Sequence, residues 1–206
     1  MSGTLAARDL TVDLGATALA VARRLAGGAT CWCSSPDGGS LPVGLPGARR
    51  LPWAGLVGAL RGAVLPGDVV VLRGSDDTSD DVLLRAPAWG VTTVWLGQDD
   101  RPRDGAADHV LQADDVDALV TRCLALLAGD PAALAPPPDC DGPVCITCSD
   151  EGRFAEVVAV HGPTAQVRTA EGLEDADLTL VGGAQPHDLL VVHAGMALTR
   201  LERQTR

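Results

Sequence analysis

The chemically versatile side chains of this 206-residue chain are six cysteines and four histidines. Three of the thiols lie close together in sequence, at Cys140, Cys145 and Cys148. Cys145-Ile-Thr-Cys148 has the spacing with which two thiolates grip one metal ion. A structural zinc site takes four ligands. Cys140 can be the third and His161, His187 or His193 the fourth, although no second CxxC pair follows. A thioredoxin-type redox role needs the pair at a helix start within a βαβ unit, and here it follows a proline-rich stretch and precedes strand-like sequence. His193 closes the apolar run Leu189-Leu-Val-Val192 and precedes Ala194-Gly195, which sets its ring at the edge of a sheet. There it serves either as a hydrogen-bonded structural residue or as a metal ligand. Cys31 and Cys33 alternate on a predicted strand and face one side, and Cys123 lies in an apolar helical stripe, so these three read as core.

Composition narrows the partners. All 16 basic residues are arginine, and lysine is absent, which excludes a catalytic lysine, a Schiff base and a P-loop. Aromatic residues make up 2 %, too few for a base-stacking surface. The formal net charge of −11 argues against nucleic acid and anionic membrane as partners. Arg8, Asp9 and Asp13 interrupt what would be a signal-peptide core, and no stretch approaches the ~18 apolar residues of a membrane span. The expectation is a cytoplasmic protein with reduced thiols.

Two regions must position these side chains. Residues 1–130 hold sixteen Asp and no Glu, whereas Glu appears only later. Between them Pro136-Pro137-Pro138 cannot continue a helix and favours a stiff spacer, placed at 130–143. In the first region a helix is predicted over 5–25, a strand over 29–33, loop over 34–50 and a short helix over 53–64. Asp68–Leu72 is a continuous apolar run of the kind buried on both faces of a sheet. Thr78 or Ser79 is expected to cap a helix reaching Trp89, Gly90 ends it, and Val91–Leu96 is the next strand. That β-α-β unit predicts a parallel sheet. A strand over 107–111 and a helix over 116–127, opened by Asp114-Asp115, follow. In the second region Arg153–His161, Thr164–Thr169, Leu173–Val181 and Leu189–Val192 read as short strands of a small barrel or sandwich.

Asp177-Leu-Thr-Leu-Val-Gly, followed by Asp188-Leu-Leu-Val-Val-His193-Ala-Gly195-Met-Ala-Leu, resembles the HypC/HupF-type NiFe-hydrogenase maturation chaperones. The resemblance covers 145 to about 202. It implies an OB-like β-barrel over 144–206 and a protein that carries or transfers an Fe(CN)2CO unit rather than an enzyme. It also implies a HypD-like iron–sulfur scaffold protein and the hydrogenase large-subunit precursor as partners. The family's ligands, an early Cys and a strand-end His, fall on Cys145 and His193. The family Cys directly follows the initiator Met, whereas Cys145 is internal, and Cys148 offers a second thiolate. On chemical grounds a soft iron centre with cyanide and CO suits thiolate plus imidazole, and two protein ligands leave it free to be handed on.

The first region resembles something else. Gly67-Asp-Val-Val-Val-Leu-Arg-Gly-Ser75-Asp-Asp-Thr78-Ser79, Trp89-Gly-Val-Thr-Thr-Val-Trp-Leu-Gly97 and Ala107-Asp-His-Val-Leu are similar to the SIS (sugar isomerase) domain, especially phosphoheptose-isomerase-like members. This implies a doubly wound α/β domain over 1–129 that dimerises and cradles a phosphosugar on Ser75, Thr78 and Ser79 at a helix N-terminus. Asp76, Asp77, Asp80 and Asp81 surround that loop and oppose a dianion, which favours a dimerisation or docking scaffold. The combined expectation is a hydrogenase maturation chaperone. Its rivals are a phosphosugar-binding, isomerase-like or ligand-sensing protein and a structural zinc module.

Overall fold

The computed structural model describes residues 13–39, 41–74, 76–97, 107–134 and 152–201. The first region is an α/β domain whose five strands all pair in parallel, in the order β2-β1-β3-β4-β5. The strands are β1 (Cys31–Ser34), β2 (Ala48–Arg50), β3 (Val69–Arg73), β4 (Thr92–Leu96) and β5 (His109–Leu111). Four helices cover both faces: α1 (Leu14–Ala26), α2 (Leu56–Ala63), α3 (Asp77–Trp89) and α4 (Val116–Leu127).

The alternation along β3 decides which residue goes to which layer. Val69 and Val71 pack with Cys31, Cys33, Val21, Leu119 and Cys123 under α1 and α4. Val70 and Leu72 pack with Trp32, Leu60, Leu83, Trp89 and Trp95 under α2 and α3. Both thiols of β1 therefore do face one side, with their sulfurs 3.7 Å apart, and Cys123 is buried beside them in the same layer. The hydrogen bond with Cys33, reinforced by burial, pushes the Cys31 thiol far above the ordinary range, and burial pushes Cys123 up to about 11. These are inert core thiols.

Aspartate fastens backbone throughout this domain. Asp68, almost fully buried, accepts the backbone N–H groups of Thr30 and Leu65 and the indole N–H of Trp32. Asp108 accepts from the N–H and hydroxyl of Thr93, tying β5 to β4. The sixteen aspartates are thus partly structural, holding the loops between the strands.

Several boundaries differ from the sequence reading. Asp13 caps α1 by accepting the Ala16 N–H, so this helix begins at Leu14; the expected turns before Asp13 lie outside the described residues. Strand β2 lies in what reads as loop; it is three residues long, on the sheet edge, with two exposed arginines and no apolar signal. Of the 130–143 spacer only residues 130–134 are described, with a 3-10 turn at Pro131–Leu134; the rest lies outside the described residues.

The second region is a closed five-stranded barrel in the order β10-β8-β7-β6-β9. Its strands are β6 (Arg153–His161), β7 (Thr164–Thr169), β8 (Gly172–Asp177), β9 (Leu189–His193) and β10 (Met196–Leu201). All pairs are antiparallel except β10 with β8, which close the barrel in parallel at Met196 and Asp177. The interior is filled mainly by small side chains, including Ala155, Val157, Ala165, Val167, Ala176 and Val192, with Leu178 and Leu190 as the larger ones, as suits a narrow barrel. Strand β8 stops at Asp177, short of the expected Val181. Asp177 accepts the Thr179 N–H at 2.7 Å and turns the chain. Strand β10 was not expected at all. A register shift between Ala197 and Thr199 breaks the alternation that would have marked it.

Candidate functional site

His193 is the last residue of β9, half-buried, on the outward side of the barrel wall. Leu190 and Val192 point into the core, so Leu189, Val191 and His193 point away from it. Ala194 at φ 49° and Gly195 at φ 77° form the two central residues of the turn that returns the chain to Met196, paired with His193. Two consecutive positive φ values are the signature of the tight hairpin turn that matches strand twist. Glycine accepts this geometry freely and alanine does not, so the sequence His193-Ala-Gly195 turns the chain sharply at the end of the strand with some local strain.

The description resumes at Gly152 beside that histidine. Arg153 pairs with Val192 and Phe154 with Val191, so continuing the register sets Gly152 opposite His193. A Cβ on Gly152 would lie 2.6 Å from Val191 Cγ1, so any side chain there would have to push that valine side chain aside. Cys140, Cys145 and Cys148 all lie outside the described residues. In the sequence Cys148 precedes Gly152 by four residues and Cys145 by seven.

The other histidines are elsewhere. His161 ends β6 at the opposite end of the barrel from Arg153, about 26 Å along the strand. His187 sits at the domain junction with φ 78°; its N–H donates to the Val157 carbonyl and its own carbonyl accepts from Arg85 Nη1. His161 and His193 therefore cannot join one metal. Among the described residues no group of three His, Cys, Asp or Glu side chains comes together as a metal site.

The serine and threonine loop is arranged differently from the expectation. Ser75 lies outside the described residues. The cap of α3 is Asp76, not Thr78 or Ser79. One Asp76 oxygen accepts the N–H groups of both Thr78 and Ser79, at 2.9 and 3.2 Å, and the other accepts the Trp53 indole N–H. The Ser79 hydroxyl is buried and closes the capping box with the Asp76 backbone. A carboxylate outcompetes a hydroxyl for these donors because its charge is stabilised by the positive end of the helix dipole. The donors that would cradle a phosphate are taken by the chain's own carboxylate.

Sequence reasoning missed the junction between the regions. Glu156 on β6 is 2 % exposed although it points out of the barrel. Its Oε1 accepts from Arg61 Nε and Arg85 Nη1, both at 2.8 Å, and its Oε2 from Trp89 Nε1 at 2.7 Å. In return, Arg168 on β7 donates to the Arg61 and Val64 carbonyls and so caps the C-terminal end of α2. Desolvation pulls the Arg168 guanidinium below its usual range, opposed by the Glu156 charge. At Gly90, with φ 67°, a Cβ would lie 2.9 Å from Ala170 Cα, so backbone meets backbone where α3 ends on the barrel. The available signal was one glutamate inside the apolar run Phe154-Ala-Glu-Val-Val-Ala-Val160.

Among the described residues no helix is long and apolar enough to cross a membrane. No protein-family model matches the chain, and no curated protein is significantly similar to it.

Proposed function

We propose that the chain is an accessory protein of NiFe-hydrogenase assembly that carries an Fe(CN)2CO unit as cargo, held by a thiolate of Cys145 and the imidazole of His193. In this reading the barrel is the OB-like carrier module of the HypC/HupF type. The α/β domain is an SIS-like scaffold for dimerisation or docking. The protein is a carrier and not an enzyme, working in the cytoplasm with a HypD-like iron–sulfur scaffold protein and the hydrogenase large-subunit precursor.

The observation that carries the reading is the register of Gly152 against His193. The CxxC thiols precede Gly152 by only four and seven residues in the sequence, while His161 lies at the far end of the barrel. One thiolate and one imidazole are a donor set suited to a soft iron centre, and they leave coordination positions for cyanide, CO and the next acceptor. Cys148 is the second thiolate of the CxxC pair. A small closed β-barrel is the kind of architecture the resemblance implies.

The phosphosugar reading is less well supported, because Asp76 holds the α3 N–H groups that Thr78 and Ser79 would contribute. The test is iron content after anaerobic co-expression with the maturation machinery. Wild-type protein should carry close to one iron per chain. Cys145→Ala and His193→Ala should each lose most of it while keeping their fold. Iron-free wild type, or full iron in both variants, would refute the assignment. Tightly held zinc instead would favour a structural zinc module.

A further inference from the structure

A cavity of about 460 Å³ opens where the two regions meet. Neither His193 nor Gly152 lines it. Leu65, Val158 and Leu173 line it although each is strongly exposed, at 67 %, 43 % and 62 %. Three large apolar side chains left open to water around one hollow are unusual for a surface with nothing to cover. Volume, junction position and mainly apolar walls with a few polar groups are the ordinary properties of a small-molecule site.

The polar wall has an excess of cations. Arg61, Glu156, Arg168 and His187 line the hollow. Glu156 is fully engaged, its two oxygens accepting from Arg61, Arg85 and Trp89. Arg61 uses only its Nε there, and among the described residues its two Nη groups have no protein partner. Arg168 donates one bond from each Nη to a backbone carbonyl, forms no ion pair among the described residues, and retains three of its five N–H donors. Around this junction three guanidinium groups face two carboxylates, Glu156 and Asp81, in a chain of net charge −11. Unspent, partly desolvated guanidinium donors beside an apolar wall suit a ligand with one anionic head and an apolar body.

We propose that this cavity binds a small amphipathic organic anion of the medium-chain carboxylate class, its head on Arg61 and Arg168 and its chain against Leu65, Val158 and Leu173. Because Arg61 belongs to the α/β domain and Leu173 to the barrel, the ligand bridges the two regions and stabilises their junction.

The experiment is calorimetric titration and thermal melting of the full chain with octanoate, with 1-octanol as the uncharged control. Octanoate should bind one per chain and raise the melting temperature. Octanol should bind at least about tenfold more weakly, since it lacks the charge the guanidinium groups recognise. Leu173→Glu places a carboxylate at the exposed mouth without disturbing the core. It should keep the ligand-free melting temperature and weaken octanoate at least about tenfold through like-charge repulsion. No octanoate binding at millimolar concentration, equal binding of octanol, or undiminished binding by Leu173→Glu would each overturn the proposal.

Discussion

The indole N–H of Trp89 donates to the Glu156 carboxylate at 2.7 Å, from the last residue of a helix in one region to the wall of the barrel in the other. Arg61 and Arg85 converge on the same carboxylate. A buried charge with three donors is tolerated because its desolvation is offset locally, and removing it strands two guanidinium groups. Glu156→Gln should therefore lower the unfolding free energy by about 3 kcal/mol, measured by chemical denaturation. A change near zero would mean that the junction is not held through this residue.

Gly90 makes the junction tight in a different way. Its φ of 67° and the 2.9 Å approach of Ala170 leave no space for a side chain. Gly90→Val adds left-handed strain of about 1–2 kcal/mol and forces the two backbones apart. Hydrogen exchange should then rise in both α3 and the Ala170 turn. Unchanged protection across that turn would contradict the contact.

The N-cap of α3 gives a local measure. Asp76→Ala removes the acceptor for Thr78, Ser79 and Trp53 and should cost about 1 kcal/mol. The same variant frees the helix N–H groups. If it gains affinity for sugar phosphates in a thermal-shift screen, Asp76 is what excludes them.

His109 makes a pH dependence. Desolvation lowers its pKa below the ordinary 6.5, with Asp108 pulling the other way. The unfolded chain then takes up this proton before the folded one, so the folded state loses stability as pH falls below about 6.5. His109→Gln should flatten the stability profile between that pH and the lower pKa of the folded protein. An unchanged slope would remove His109 as the cause.

The parts most legible in the sequence are those where one local signal decides the outcome. Val69–Leu72 is apolar throughout, so only a strand buried on both faces fits, and Gly90 stops the following helix because it alone accepts a left-handed φ there. Cys31 and Cys33 were readable as core from strand alternation. Edge strand β2 was not, because its pairing is set by the neighbouring β1 and not by its own side chains. The α3 cap was read two or three residues late, since Asp, Thr and Ser all cap helices and only the fold selects among them. His193 at the strand end was legible. The engagement of Glu156 was not, because its three partners come from positions 67 to 95 residues away.

We propose that this barrel holds an iron unit bearing diatomic ligands through His193 and the Cys145 thiolate. The most direct measurement is the infrared spectrum of the protein isolated anaerobically from cells expressing the maturation machinery. Wild-type protein should show metal-bound cyanide and CO bands, and folded His193→Ala should lose them. A wild-type spectrum without those bands, or a His193→Ala spectrum at full intensity, would contradict it.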